Sequence, residues 1–257
     1  MKTFILCGGK GTRLDYESSY QPKAMVKIGK DPIILHLIKN LANQNLSVFV
    51  LCLGYKKDII IDYFLNSKKN KPELLINKKK FIKISLIINK KKIFLYLVDT
   101  GLESGTGWRI KMANNIIKNK ENILMTYCDG LSNINIKKLI LLHNNKKKPV
   151  TITAVQPKHR YGILKIENNV VKSFNNENPK QNIRINGGYF VIQPGILKII
   201  KSKKSYWEAD PIKHLVKKKL LSCYLHNGFW ASLDTQKEKK YFNLLYKNKR
   251  TPWLNVE

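Results

Sequence analysis

The chain opens on a short unbroken apolar run, Thr3-Phe-Ile-Leu-Cys7, that flows straight into Gly8-Gly-Lys-Gly-Thr12. A continuous apolar segment of this length reads as a strand buried on both faces, ending in a glycine-rich loop. After Pro32, the stretch Ile33 to Ala42 has the length and apolar recurrence of a helix, with proline where a first turn tolerates it. Ser47 to Leu53 is a second buried strand with Gly54-Tyr55 as its exit, and Lys57 to Leu65 a second helix. Strand and helix alternating in this way predict a mainly parallel sheet. Ser67 to Lys92 is rich in Lys and Asn with Phe81, Ile82, Ile84, Leu86 and Ile87 interleaved, which predicts a strand or hairpin with polar turns. A strand at Ile93 to Val98, a loop from Asp99 to Gly107, a helix near Arg109 to Asn119 and a strand at Ile123 to Tyr127 follow, the last ending at Cys128-Asp129-Gly130.

Beyond Pro149 the pattern turns to short strand-like runs punctuated by Gly, Asn and Pro: Thr151 to Val155, Gly162 to Ile166, Val170 to Phe174 and Gly188 to Ile192. Helical stretches return at Pro194 to Lys201, Asp210 to Lys219 and Thr235 to Tyr246. No internal repeat, low-complexity linker or boundary divides residues 1–257, which predicts a single domain with a strand-rich second half from about 149. Ligands of open α/β sheets gather beyond the carboxyl ends of strands, so the loops at Gly8, Gly54, Thr106 and Asp129 are the expected walls of one crevice.

With 43% hydrophobic and 25% charged residues, the 257-residue chain is globular in composition rather than disordered or collagen-like. Cys7, Cys52, Cys128 and Cys223 are far apart in sequence, form no C-x-x-C pair and sit among apolar residues, which predicts packed thiols in a reducing cytosol rather than disulfides. The opening apolar run is too brief for a signal-peptide core, and no run approaches the roughly 20 residues of a membrane span, so a cytoplasmic protein without membrane contact is expected. A formal net charge of +31 raises nucleic acid as a partner. The lysines are instead scattered in short runs among Asn and Ile, as A+T-rich codon usage produces, and no helix-turn-helix, zinc-finger or RNA-binding signature accompanies them. A solvated basic surface is therefore favoured over a selected nucleic-acid face, and weak salt-sensitive affinity for nucleic acid follows from either.

The candidate chemistry begins at Gly8-Gly9-Lys10-Gly11-Thr12-Arg13. It lacks the Gly-Lys-Ser/Thr ending of a P-loop and the third glycine of G-x-G-x-x-G. Glycines still let a backbone approach a polyphosphate and aim N–H groups at it, while Arg13 and Lys23 can supply permanent positive charge. Two aspartates, Asp129 at a strand end and Asp234 in Leu233-Asp-Thr235, are candidate cation ligands in a chain with few acids. Read singly, the loop is equally a glycine turn with two solvent-facing bases, each aspartate a turn or helix-cap residue, and Asn186-Gly187-Gly188 a bulge inside a strand.

Together, Gly8-Gly-Lys-Gly-Thr-Arg-Leu14 and Pro22-Lys-Ala-Met25 resemble the signature of the sugar-1-phosphate nucleotidyltransferases. The resemblance runs along almost the whole chain, through Cys52-Leu-Gly-Tyr55, Val98-Asp-Thr-Gly101, Thr106-Gly-Trp-Arg109, Tyr127-Cys-Asp-Gly130, Asn186-Gly-Gly188, Trp207-Glu208, Gly228-Phe-Trp230 and Leu233-Asp-Thr235, and is strongest to the glucose-1-phosphate cytidylyltransferase branch. Only residues 66–92 look unlike the family. The resemblance implies an α/β fold, a Rossmann-like, mainly parallel sheet of the GT-A-like nucleotidyltransferase type with a smaller strand-rich sugar-binding lobe. The nucleotide-binding half would be about 1–148 and the sugar-phosphate-binding and C-terminal half about 149–257. It implies transfer of a cytidylyl group from CTP to glucose-1-phosphate, giving CDP-glucose for bacterial surface polysaccharide such as lipopolysaccharide O antigen, by a homo-oligomer.

The implied cofactor is Mg²⁺ on Asp129 and Asp234. Gly8, Gly9, Gly11, Thr12, Arg13 and Lys23 would hold the triphosphate, with Thr106 and Arg109 near the nucleotide. Arg13, Lys23 and Asp129 would form the catalytic set. Gly162, Glu177, Asn186 and Gly187 would take the sugar phosphate, Glu177 accepting from sugar hydroxyls. Trp207, Phe229 and Trp230 are expected as core or interface aromatics rather than stacking platforms. Where the family usually has Glu-Lys-Pro, this chain has Glu177-Asn178-Pro179. The lost charge-assisted contact would weaken sugar-phosphate binding by about 1.5 to 3 kcal/mol unless Lys180, Lys165 or Arg160 replaces it. Ala24 for the usual proline and Trp108 for a usual glycine are lesser departures. Three readings stay open on sequence alone: the cytidylyltransferase, a sibling using another nucleotide or acceptor, and an inactive scaffold that binds nucleic acid.

Overall fold

The computed structural model describes residues 1–9, 11, 20–68, 70–156, 163–167, 170–175 and 183–255, with side chains left aside at 163–167 and 173–175. The N-terminal run forms β1 (Lys2–Leu6), buried along its length because it lies inside the sheet. The short strands β2 (Lys27–Ile28) and β3 (Asp31–Pro32) pair into a ribbon leading to helix α1 (Ile33–Asn43). Pro32 sits at the helix N-cap with φ −67°, where its missing N–H costs nothing. Then come β4 (Val48–Leu53) and helix α2 (Lys57–Leu65). The Lys/Asn-rich segment resolves into β5 (Glu73–Lys78) and β6 (Phe81–Ile88), which extend β7 (Lys91–Asp99) as an antiparallel meander.

Helix α3 (Thr106–Ile116) starts three residues before the expected position, because Gly105 rather than Gly107 ends the preceding loop. Strand β8 (Ile123–Tyr127) matches its sequence bounds, followed by β9 (Gly130–Ser132) and helix α4 (Ile136–Lys146). Neither β9 nor α4 is among the elements that the sequence predicts. In α4 only Ile136, Leu139 and His143 are buried, so its apolar stripe is thin, and Asn135 caps it by accepting from the Lys138 N–H at 2.9 Å. The second half supplies β10 (Val150–Val155), the separate pair β11 (Ile163–Glu167) and β12 (Val170–Asn175), and β13 (Ile185–Ile192). Helix α5 (Asp210–Lys217), β14 (Leu221–His226), β15 (Trp230–Ser232) and helix α6 (Gln236–Lys247) complete it. The expected helix at Pro194 to Lys201 is a 3-10 helix, Pro194–Ile199.

One nine-stranded sheet orders these strands β14-β10-β13-β8-β1-β4-β7-β6-β5. Its centre, β8-β1-β4-β7, is parallel, and antiparallel strands flank it on both sides apart from the parallel β10-β14 pair. The strand-rich second half is therefore largely a continuation of the same sheet, and β11–β12 is its separate two-stranded part. Alternate residues of β1 face opposite layers. Phe4 and Leu6 pack with Ile110 of α3, Trp207 and Leu215 of α5, while Ile5 packs with α1, Phe242 of α6 and Trp253. Helices thus cover both faces, which is why the central strands read as continuous apolar runs. Among the described residues no helix is long and apolar enough to cross a membrane. Cys7, Cys52 and Cys128 are buried as expected, but Cys223 is exposed because β14 is the sheet's edge.

At the carboxyl ends of the parallel strands, the Arg109 guanidinium lies beneath the loops. Its nitrogens donate to the carbonyls of Leu53 (3.1 Å), Gly101 (2.7 Å), Gly8 (3.0 Å) and Leu102 (2.9 Å) and to Thr100 Oγ1 (2.8 Å). A planar, always-charged fork suits this task, since it can donate to several carbonyls at once, adding to the Tyr55 N–H at Gly8 and the Thr100 N–H at Leu53. A Cβ on Gly8 would collide with that guanidinium, and one on Gly54 would strike both it and the Gly8 carbonyl, whereas one on Gly9 would meet nothing within 4 Å.

Two outcomes follow. Gly8→Ala must displace a guanidinium bonded through both terminal nitrogens, so it should destabilise by about 1 to 3 kcal/mol and lower Tm by roughly 3 to 10 °C, while Gly9→Ala leaves Tm unchanged, as differential scanning fluorimetry would read. His36, buried with its Nε2 2.9 Å from the Ile28 carbonyl and its ring edge against Tyr246 and Trp253, has its pKa held below the ordinary 6.5 by burial. Burial lowers that of His143 as well. The stability due to these neutral rings is present above 6.5 and lost as pH falls through their lower folded values, because the unfolded chain takes up the protons first. Urea midpoints should fall between about pH 7.5 and pH 5.5, and His36→Gln, which keeps a donor for the Ile28 carbonyl, should flatten that fall.

Candidate active site

A cleft of about 790 Å³ opens over the carboxyl ends of β1 and β8. Gly8, Gly9, Gly11, Lys23, Thr106, Arg109, Asp129, Asn186 and Asp234 all line it, so residues spread over more than 200 positions meet in one place. Thr12, Arg13, Gly162, Glu177 and Asn178 lie outside the described residues. Gly187 adjoins the cleft through its carbonyl, which accepts from Trp230 Nε1–H at 2.8 Å. Of the four loops expected to wall the crevice, that at Gly54 instead sits behind the cleft against Arg109.

The centre of the cleft is a charge triad. Lys23 Nζ lies 2.5 Å from Asp129 Oδ2 and 2.7 Å from Asp234 Oδ1. Lys23 stands in a 3-10 turn, Lys23–Met25, whose residues are buried, so its stem is fixed in the core and only the ammonium reaches the cleft. Burial pulls the pKa of this amine down, but Asp129 and then Asp234 outweigh it and leave the pKa raised. Asp129 sits in the turn between β8 and β9, where the Leu233 N–H donates to its backbone carbonyl at 2.8 Å. Asp234 follows β15, which pairs antiparallel with β9, so this small ribbon sets the two carboxylates side by side. Ser232 Oγ donates to Asp234 Oδ2 at 2.9 Å. The Asp234 backbone N–H donates to Glu238 Oε2 at 2.6 Å, within the Thr235–Glu238 capping box of α6.

The far wall holds a second network. Thr106 Oγ1 donates to Glu208 Oε2 at 2.6 Å and accepts from the Trp207 N–H at 2.8 Å, and the Tyr127 hydroxyl donates to Glu208 Oε1. Burial, then the Glu208 carboxylate, push the Tyr127 pKa far up, which keeps it a neutral donor. Beside it, Asn186 Oδ1 accepts from the Gly188 N–H at 2.8 Å, and Gly188 has φ +79° with the Tyr127 ring where a Cβ would stand. The β10–β13 register shifts between Ile152 and Ala154, so Asn186-Gly187-Gly188 is both a bulged strand and a cleft wall. Trp207 is fully buried in the core as expected. Phe229 and Trp230 pack against the core as expected, and the half-buried Trp230 also lines the cleft.

Sequence reading picked out neither Tyr127, Glu208 and Ser232 nor Glu103 and Tyr206 as cleft residues; a lone polar residue carries no mark of its destination. The capping-box spacing of Thr235 and Glu238 was a legible sign that Asp234 precedes a helix. Among the described residues, Glu103, Asp129, Glu208 and Asp234 line the cleft against Lys23 and Arg109, in a chain of net charge +31. Among the described residues no group of three or more His, Cys, Asp and Glu side chains is arranged for a metal. A cation here would rest on the two aspartates, with substrate oxygens and water completing its shell, as Mg²⁺ commonly does and a caged Zn²⁺ does not.

A glycine loop, a lysine between two aspartates and a neighbouring polar wall meet in this one cleft, and known proteins can be compared with that geometry. Over its full length the chain is 34% identical to glucose-1-phosphate cytidylyltransferase of Salmonella typhi, all of which is covered. A probable glucose-1-phosphate cytidylyltransferase of Bacillus subtilis is 33% identical over 98% of this chain and 99% of its own. A mannose-1-phosphate guanyltransferase of Saccharomyces cerevisiae is 28% identical over 98% of this chain and 67% of its own. In structure, HddC from Yersinia pseudotuberculosis complexed with GMP-PN shares the fold at a TM-score of 0.68, with 23% identity over 95% of this chain and 99% of that one. UDP-glucose pyrophosphorylase complexed with UDP-glucose does so at 0.68, with 17% identity over 97% and 99%. The nucleotidyl transferase family model matches residues 2–243. With that match over nearly the whole chain and relatives one-third identical from end to end, this protein belongs to the nucleotidyl transferase family.

Proposed function

We propose that this enzyme transfers a cytidylyl group from CTP to glucose-1-phosphate, giving CDP-glucose and pyrophosphate, with Mg²⁺ as cofactor. The observation that carries the reading is the convergence of Gly8-Gly9, Lys23, Asp129 and Asp234 in one cleft of a chain aligned end to end with glucose-1-phosphate cytidylyltransferases. A sugar-phosphate oxygen attacks the α-phosphorus in line, the new P–O bond forms, and the bond to the β-phosphate oxygen breaks. No protein nucleophile is needed, because a phosphate monoester is already mostly dianionic at neutral pH.

The chain's own residues bind and orient. Gly8, Gly9 and Gly11 bring backbone close to the triphosphate, which Thr12 and Arg13 would also contact, and Lys23 and Arg13 neutralise charge on the α-phosphoryl group and departing pyrophosphate. Arg109 serves the nucleotide indirectly, since its guanidinium holds the Gly8 and Gly101 carbonyls from below. Thr106 and Glu208 orient the far wall. Asp129 and Asp234 suit Mg²⁺, being adjacent carboxylates in an acid-rich cleft, and when bound the ion supplies charge neutralisation between nucleotide and sugar phosphates. Gly162, Glu177, Asn186 and Gly187 receive the sugar phosphate. The enzyme acts in the cytoplasm as a homo-oligomer, and its product feeds sugar synthesis for surface polysaccharide. A different phosphorylated acceptor is the second reading, and Asn178 in place of the family's lysine favours it.

Pyrophosphate release should be CTP-selective with glucose-1-phosphate when CTP, UTP, dTTP, ATP and GTP are compared in the presence of Mg²⁺. Asp129→Ala should cut turnover by about a hundredfold or more, the scale of several kcal/mol of lost charge stabilisation. Asn178→Lys should lower KM for glucose-1-phosphate roughly tenfold or more if no neighbour already compensates. Turnover with another sugar phosphate but none with glucose-1-phosphate would replace the first reading by the second.

A further inference from the structure

The cleft holds a counter-ion of its own. Lys23 is the cation placed between Asp129 and Asp234, at 2.5 and 2.7 Å, and its side chain is only 10% exposed. Among the other described residues of the cleft the remaining base is Arg109, whose guanidinium is occupied by four carbonyls and Thr100. The two carboxylates repel each other as like charges, and the Lys23 ammonium at 2.5 and 2.7 Å offsets that repulsion. The lysine stem is held beside the glycine loop. Gly11 has φ +65°, and a Cβ there would stand 3.1 Å from Lys23 Cβ. The anchored stem therefore leaves a flexible ammonium within one side-chain swing of both the carboxylates and the backbone that faces a polyphosphate.

We propose that Lys23 is a resident counter-ion that exchanges with the divalent cation: its ammonium holds the place between Asp129 and Asp234 until a metal ion enters, and then passes to phosphate oxygens of the nucleotide. This rests on the reading of Asp129 and Asp234 as cation ligands. The exchange makes the two bindings cooperative. A cation arriving alone must expel an ammonium that has no other partner, so it binds weakly. A polyphosphate arriving alone must draw Lys23 off two carboxylates, which then lose its charge. Arriving together, each provides what the other displaces, and by linkage each tightens the other by the same factor.

The test is Mn²⁺ binding by the full chain without nucleotide, read from the loss of the free-ion EPR signal. The parent should bind weakly, and Lys23→Met roughly ten- to hundredfold more tightly, the usual size of coupling between two linked sites. Lys23→Gln, which keeps hydrogen bonds to the carboxylates but not the charge, should shift the same way. In EDTA, Lys23→Met should unfold at a lower temperature than the parent, and Mn²⁺ should raise its Tm by more than the parent's. Asp234→Asn in the Lys23→Met background should abolish the gained affinity. Equal Mn²⁺ affinity in the parent and both neutral variants, all folded by circular dichroism, would overturn the exchange. Mg²⁺-dependent pyrophosphate release that vanishes in Asp129→Ala would leave the metal reading standing in that case. Tightened Mn²⁺ binding in the variants with no turnover by the parent on any substrate pair would keep the exchange and remove the catalytic reading instead.

Discussion

Two carboxylates cannot share a half-buried cleft without a cation, and the architecture around this site follows from that constraint. Asp129 and Asp234 arrive on separate ribbon strands more than a hundred residues apart, and the Lys23 ammonium between them turns repulsion into two short ion pairs. Three supports make the arrangement rigid. The 3-10 turn at Lys23 is buried, the β9–β15 ribbon sets the spacing of the aspartates, and the capping box of α6 pins the backbone at Asp234. The two carboxylates are thereby held within reach of a single cationic group.

The phosphate side of the cleft is built by another buried cation with a different task. One Arg109 guanidinium ties together the carbonyls of Gly8, Leu53, Gly101 and Leu102 where the strands end and the loops begin, alongside the Tyr55 and Thr100 N–H groups that also reach Gly8 and Leu53. That explains why Gly8 and Gly54 have no side chain: the guanidinium fills the volume a Cβ would need. It also divides labour between the two bases. Lysine, a point charge on a flexible stem, stands where charge must move, whereas arginine, a rigid fork, stands where carbonyls must stay.

Among the described residues of the cleft the charge runs against the composition: in a chain of net charge +31, Glu103 and Glu208 join the two aspartates. Glu208 is further occupied by Tyr127 and Thr106, so it shapes the wall through fixed hydrogen bonds.

The sequence by itself determined the parts of this protein whose cause is local. Continuous apolar runs specified β1, β4 and β8, since a strand buried on both faces admits no polar alternation, and the glycines after β1 marked where the strand gives way to the cleft loop. The family signature then pointed to Lys23, Asp129 and Asp234. Tertiary structure decided what depends on partners distant in sequence. Helix α4 forms on a stripe of Ile136, Leu139 and His143 that is too thin to read without the sheet beneath it, and the strand-rich second half joins the main sheet because β13 pairs with β8. The roles of the bases were likewise decided by neighbours: Lys23 and Arg109 look alike in sequence as cations near glycines, but one meets carboxylates and the other carbonyls. A residue type states which interactions it can make, and only the packed chain brings the partner that selects among them.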